Sequence, residues 1–515
     1  MIKHFFLHLH KTLGRVLLVI NEEYHLSDNV SSTYPNTTNY EGLASPTLHN
    51  IMMKNLLRLF ALSLLSVGGA TSFVNIASAQ TARTGFFMET SKFRHQINPA
   101  LLEDNPYFSI PFLGNIYANT ISSHHSDAFI YKVTDRTTGK KSYDTFMNPS
   151  VTPTQLYRRL GNKDVSLDVD FSDNIFSIAT NGFGGTNLVE INLKSASRLE
   201  LPNNLFHYAK EPNSFNTYQL NHMALKHQSY LEFGVGHARN IDNHFTVGAK
   251  VKGLIGLAYA DVEANQLQLQ QSGMGWKVSG HTRGTVAVMN TAPTFDKKGH
   301  FDGFEELSPG ITGWGLAADL GATYEVHGVE GLTVSASLTD LGFINHKKAY
   351  ALRNDVQRSW NFDGFRKTQQ ENENMLNEGI EQFKDDLQEL LSLHDGGKTT
   401  KSASLKSTLN IGAKYKLPFV KHLNVGLLYS KHLEGDFSLD QFTLGAAWHP
   451  IAPIEVGVST TLVKNKLNFG TMLTVQAPRF QVFVGTDFFS GGFSEDGLLS
   501  SRANNINLGF TIPLD

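Results

Sequence analysis

Three carboxylates, Asp168, Asp170 and Asp173, begin like a calcium loop, in which alternate acidic side chains wrap one cation. The Gly that turns such a loop and the Glu that closes it are missing. Asp168 and Asp170 stand two positions apart in a strand-like stretch, so both project from one face, toward a lumen if the strand lines one. His124 and His125 are adjacent, so on a strand they point to opposite faces and make a poor pair of ligands for one metal. No phosphate loop, H-E-x-x-H, G-x-S-x-G or dinucleotide fingerprint occurs, and no nucleophile and base stand in a legible pair. The reading is therefore of a non-enzyme without cofactor or metal.

The chain has 515 residues, 44 of them basic and 47 acidic, a net charge of −3 and no cysteine. Near-neutrality disfavours a nucleic-acid binder, which carries a basic excess. The lack of cysteine excludes disulfides, zinc-thiolate and iron–sulfur sites. Charged residues are 18% of the chain, below the roughly 25% of soluble domains.

Residues 53–79 have the layout of a secretory signal peptide: Lys54 and Arg58, an apolar run from Leu59 to Ala70, then Ala77-Ser78-Ala79 before Gln80. Cleavage is expected between Ala79 and Gln80. Residues 1–52 precede it and end at a double Met (Met52, Met53); they are read as an over-extended start that is no part of the mature protein. His4, His8 and His10 fall in this stretch and carry no site. After Gln80 no run is apolar for the about 18 residues that a spanning helix needs, so the exported chain is either soluble or a β-barrel.

From Trp314 onward the apolar period is 2. Trp314, Leu316, Ala318, Leu320, Ala322 and Tyr324 alternate with Gly315, Ala317, Asp319, Gly321, Thr323 and Glu325. The pattern recurs around Leu409, Leu423, Phe442, Ile454, Leu467, Phe480 and Ile506. Aromatic residues stand near the run ends, as interfacial girdles require, and the opposite face is rich in Gly, Ser, Thr and Asn. Long connections all fall on one parity, whereas the other carries short turns. Run length, alternation and parity together favour a transmembrane antiparallel barrel over a β-sandwich. On this reading Leu320, Val425, Leu444 and Val484 face lipid and Gly321, Gly426, Gly445 and Gly485 face inward. Arg at the outer positions should then be costly and Ser at the inner ones far less so, provided that the lumen has room and the Gly is not at a kink.

The first half is compatible with the same plan. Leu231, Phe233 and Val235 lead through 239–243 into Phe245, Val247, Ala249 and Val251, which alternate with Thr246, Gly248, Lys250 and Lys252. Residues 165–200 supply two or three strands and Thr285, Ala287 and Met289 mark another, for about 14 in all. Residues 80–110 lack alternation and are read as a segment inside or below the barrel that fills 111–515. The long outer connection 341–404 holds an expected amphipathic helix, about 368–394, whose stripe is Leu376, Ile380, Phe383, Leu387 and Leu390. It is a candidate lid or partner-binding helix.

The segments Asn98-Pro99-Ala100, LPNNLFHYAKEPN (201–213), YLEFGVGHARNIDNHFTVGAKVKGLIGLA (230–258), SLTDLGFINHKK (337–348) and NFDGF (361–365) resemble a family of Bacteroidota outer-membrane proteins of unknown function, among the FadL-like barrels and akin to the PorV-type proteins of type IX secretion. The resemblance covers most of 80–515 and implies a barrel of about 14 strands in the outer membrane. It transfers no catalytic residues. Two functions are consistent with it: a channel or binder for a small apolar molecule, or a barrel that binds a cell-envelope protein in surface assembly or secretion. Lipid of the outer membrane is the expected surrounding in both.

Overall fold

The computed structural model describes residues 83–514 except 103–105, 135–138, 140, 147, 149, 212–216, 273–274, 307, 355–392, 434–437 and 495–498. The expected cleavage point at Ala79 and Gln80 and the helix stripe Leu376, Ile380, Phe383, Leu387 and Leu390 lie outside the described residues.

The chain forms a closed antiparallel barrel of 14 strands. One wall position is shared by two short strands, β1 (Tyr107–Ser109) and β2 (Ile116–Ser122). β3 (Val165–Gly182), β4 (Gly185–Leu201), β5 (Met223–Asn240) and β6 (Phe245–Ser272) follow as neighbours. β7 (Gly275–Val288) is the strand marked by Thr285 and Ala287. It is not a full wall position but continues above β8 (Gly313–Glu325), since both pair with β6 and with β9 (Leu332–Asn354). β10 (His394–Ser404) and β11 (Ser407–Lys416) likewise occupy the upper and lower parts of one position beside β9. The wall continues through β12 (Leu423–Leu433), β13 (Leu439–Ile451), β14 (Ile454–Val463), β15 (Lys466–Ala477), β16 (Phe480–Phe493) and β17 (Leu499–Pro513). β17 pairs with β1 and β2, and these pair with β3, which closes the ring.

Polarity is inverted relative to a soluble domain. Outward positions are apolar and exposed to the surroundings: Leu320 is 55% exposed, Leu444 61%, Val484 49% and Val251 66%. Inward positions carry buried polar and charged groups, among them Glu190, Glu232, Lys250, Lys252 and Asp319. An apolar exterior of this kind costs free energy in water and is stable in hydrocarbon. Trp314, Tyr324 and Trp448 are exposed near strand ends, where girdle aromatics sit.

One end of the barrel has tight turns and the other has long excursions. The residues between β2 and β3 and between β4 and β5 build a cap over the long-loop end. Its core joins Tyr131, Phe146, Leu156, Leu160, Phe206 and Tyr218. α1 of this cap (Pro153–Leu160) starts at a Thr152–Gln155 capping box and packs beside α2 (Asn203–Lys210). Lys210 Nζ donates to the carbonyls of Phe146 and Asn148 at 2.8 and 3.0 Å, which ties the two excursions together.

Candidate functional site

Residues 83–102 do not join the wall; they run inside it as a plug. Two wall carboxylates clasp the plug backbone. Asp487 on β16 accepts from Arg83 N–H at 2.7 Å, Thr84 N–H at 2.9 Å and the Thr84 hydroxyl at 2.7 Å. Glu455 on β14 accepts from Glu89 N–H at 2.8 Å, Thr90 N–H at 2.9 Å and the Thr90 hydroxyl at 2.5 Å. Both carboxylates are buried, and hydrogen bonds to charged groups contribute about 1.5–3 kcal/mol each.

Between these clasps Phe86, Phe87 and Met88 are buried against a run of inward glycines. A Cβ at Gly412 would meet the Phe86 ring at 2.5 Å, one at Gly445 would strike the Phe87 ring, and one at Gly457 would meet Met88 Sδ at 2.8 Å. The inward glycines of β11, β13 and β14 thus make room for the plug rather than for solvent. Asn98-Pro99-Ala100 forms a 3-10 turn in which Asn98 Oδ1 accepts from Ala100 N–H at 2.9 Å. Asn98 Nδ2 donates to the carbonyls of Ala322 and Ala336 at 3.1 and 3.3 Å, and Gly321 leaves space for its Oδ1.

Above the plug the lumen is crossed by charges. Lys252 Nζ lies 2.7 Å from Asp319 Oδ2, 2.7 Å from Asp340 Oδ1 and 3.5 Å from Glu232 Oε2. Lys194 Nζ is 3.0 Å from both Glu232 and Asp340. Lys250 Nζ donates to Glu190 Oε1 at 2.9 Å and meets His95 Nδ1 of the plug at 2.9 Å. Asp340 reaches this network through a β-bulge: Ala318 pairs with Leu341 but Leu320 pairs with Leu338, so Thr339 and Asp340 both oppose Asp319. Asp340 has φ +57°, and its N–H donates to Asp319 Oδ1 at 2.7 Å.

The carboxylates Asp168 and Asp170 do face the lumen, and each holds a side-chain cation. Asp168 pairs with Arg198 at 2.5 Å and with Lys464 at 2.9 Å; Asp170 pairs with Lys406 at 2.8 Å. Lys464 and Lys406 come from the far side of the ring, so these pairs brace the lumen. Asp173 is buried, and its Oδ1 has no hydrogen-bond partner among the described residues. His124 and His125 sit in the cap and not on one strand. His124 Nε2 lies 2.8 Å from the Leu160 carbonyl, and burial lowers the affinity of the ring for a proton. Between braces and plug remains a cavity of about 100 Å³, walled by Arg83, Glu190, Lys194, Glu232, Lys406 and His432 among others.

A family model described as a family of unknown function, DUF5723, matches residues 99–487. The chain belongs to that family. The DUF5723 match spans the plug turn at Asn98–Ala100 from its second residue and nearly the whole wall. No curated protein matches the chain. Among solved structures the chain is similar to the toluene transporter TbuX of Ralstonia pickettii, at 9% identity over 87% of this chain and 98% of that one, with TM-score 0.40. It is similar also to the toluene transporter TodX of Pseudomonas putida, at 8% identity over 85% and 98%, TM-score 0.38. A FadL homologue of Pseudomonas aeruginosa gives 9% identity over 85% and 98%, TM-score 0.36.

The ion network of this DUF5723 protein was missed by sequence reasoning, although its signal was present. Lys250, Lys252 and Asp319 already stood on the polar face of alternating runs. A charge at an inward position of a spanning strand must have a partner nearby, so single charges on neighbouring strands imply one another.

Proposed function

We propose that this protein is a bacterial outer-membrane barrel that holds and admits a small molecule behind a movable plug. The observation that carries the reading is a lipid-compatible exterior around a lumen closed by residues 83–102 and lined with charge. The cavity walls offer ammonium groups, carboxylates, hydroxyls and amides. They therefore suit a small polar, hydrogen-bonding molecule better than the apolar one that the family resemblance implies, since an apolar solute would displace water from these groups and return no hydrogen bond. The same resemblance supports a Bacteroidota envelope protein.

Conductance across a planar bilayer tests the gate. Asp487→Asn with Glu455→Gln removes the charge from both clasps while keeping side-chain shape. The double variant should conduct well above the wild type, because each lost charge-assisted bond lowers the cost of moving the plug. If wild type and variant conduct alike, the plug is not a gate and the reading fails.

A partner-binding barrel is the second reading, and the cap favours it: an exposed unit with its own apolar core exceeds what a simple pore requires. Pull-down of a stoichiometric envelope protein, lost when the exposed cap residues Ile130 and Tyr143 are both replaced by Asp, would support it; recovery of the barrel alone would count against it.

Processing follows from the leader layout. Mass spectrometry of the envelope form is expected to find Gln80 as the first residue, and peptides from residues 1–51 in cell extracts would refute the over-extended start.

A further inference from the structure

One plug side chain is held by the wall through both of its ring nitrogens. His95 belongs to the 3-10 turn Lys92–Gln96. Its Nδ1 lies 2.9 Å from Lys250 Nζ of β6, and its Nε2 lies 2.9 Å from the Tyr107 hydroxyl of β1. The Lys250 ammonium, which also donates to Glu190 Oε1 of β4 at 2.9 Å, has hydrogens to give and no lone pair to receive one. Nδ1 must therefore accept, and the single ring proton sits on Nε2 and is donated to Tyr107. The Tyr107 hydroxyl stands 3.4 Å from Ser177 Oγ, which donates to Asn174 Oδ1 at 2.9 Å. His95, Tyr107, Ser177, Glu190 and Lys250 are all buried. The charged groups that act on the ring are Lys250, Glu190 and Lys252. Asp319 of β8 stands behind them, 2.7 Å from Lys252 and 4.0 Å from Lys250.

This arrangement admits one protonation state of the ring. A second proton would sit on Nδ1 and point at an ammonium 2.9 Å away, setting two donors and two positive charges face to face. Glu190, the one carboxylate that acts on the ring, already serves Lys250. We propose that His95 is an acid-sensitive latch: the neutral ring fastens the plug to Lys250 and Tyr107, and uptake of a proton by the ring releases the plug at low pH. The latch rests on the reading of the plug as movable and adds what sets it free. Burial, and after it the Lys250 ammonium, pushes the pKa of His95 down to about 3 while the plug is closed. A ring released into water titrates near its ordinary value of about 6.5. The released plug therefore binds the proton more tightly than the closed one. Closure is fully favoured above about pH 6.5 and loses about tenfold per unit of pH below it, until the closed ring itself titrates near 3.

The test is hydrogen–deuterium exchange of plug residues 84–98 in the purified full chain in neutral detergent. It compares about pH 7.5 with about pH 4.5, after correction for the chemical pH dependence of amide exchange. In the wild type the opening equilibrium of the plug should rise roughly ninetyfold between the two, while the wall strands stay protected. His95→Gln keeps an acceptor for Lys250 and a donor for Tyr107 but takes up no proton, so its plug should stay closed at both pH values. Should His95→Gln fail to assemble, His95→Phe serves instead: its plug should be looser than the wild type's near neutrality and no looser in acid. A His95 variant whose plug opens with acid as the wild type's does overturns the latch, because the proton then acts elsewhere. A wild-type plug protected equally at both pH values, but loosened by Asp487→Asn with Glu455→Gln, overturns the latch and leaves the movable plug standing. Equal protection in wild type and clasp variant at both pH values overturns the two together.

Discussion

Replacing Lys252 by Met is expected to destabilise the folded barrel by about 3–5 kcal/mol, the usual result of removing one partner from a buried ionic group. Lys252 is the hub of the network: its ammonium lies within 2.7 Å of both Asp319 and Asp340 and 3.5 Å from Glu232. Its side chain is 3% exposed and those of Asp319 and Glu232 are each 1% exposed, so water cannot take its place without reorganising the lumen. The loss leaves Lys194 and Lys250 to hold four carboxylates, Glu190, Glu232, Asp319 and Asp340. Adding Asp319→Asn to Lys252→Met restores the charge balance and should recover part of the stability. The measurement is urea-induced unfolding followed by the shift in gel mobility between folded and unfolded barrel. If Lys252→Met unfolds at the wild-type urea concentration, the network is not a structural element and the lumen is wetter than its burial indicates.

Leu444→Arg should cost about 2–4 kcal/mol if Leu444 lies near the bilayer midplane, since an arginine there must be desolvated or drag water and headgroups inward. Leu444 is 61% exposed on the barrel exterior and points away from the plug. Its neighbour Gly445 does not meet the condition of a roomy lumen on which a cheap serine depends. A serine Cβ there would strike the Phe87 ring, and at Gly321 it would strike the Asn98 side chain. Gly445→Ser is therefore expected to dislodge the plug while leaving the wall intact. The two substitutions are separable. Leu444→Arg should lower the yield of heat-modifiable barrel in lipid, whereas Gly445→Ser should keep heat-modifiable mobility but expose the plug to added protease. A Gly445→Ser protein as protease-resistant as the wild type would show that Phe87 does not pack against this wall.

The barrel was legible because its signal is local. A strand of β13, read alone, shows Phe442, Leu444 and Ala446 on one side and Thr443, Gly445 and Ala447 on the other, and no distant residue is needed to interpret it. Loop parity was legible for the same reason. The plug was only partly so: residues 80–110 stood out by lacking alternation, yet nothing local told which wall residues would clasp them. Asp487 and Thr84 are 403 positions apart in the chain, and the clasp exists only when β14 and β16 bring two carboxylates to the inner face. The bulge at Thr339–Asp340 was also hidden. Strict alternation from Leu332 sends Asp340 outward, and the slip in pairing with β8 turns it inward.

By itself, then, the sequence determined that this chain closes into an antiparallel barrel with an apolar outside, since period-2 patterning and turn length act within a few neighbouring residues. Tertiary structure alone decided what occupies the inside. Lys464 meets Asp168 across 296 positions and Lys406 meets Asp170 across 236, pairings that depend on ring closure and strand stagger rather than on any local pattern. The physical reason is that alternation specifies the face on which a side chain lies, whereas a buried charge is stable only beside its partner, and partners are set by which strands the closed ring brings face to face.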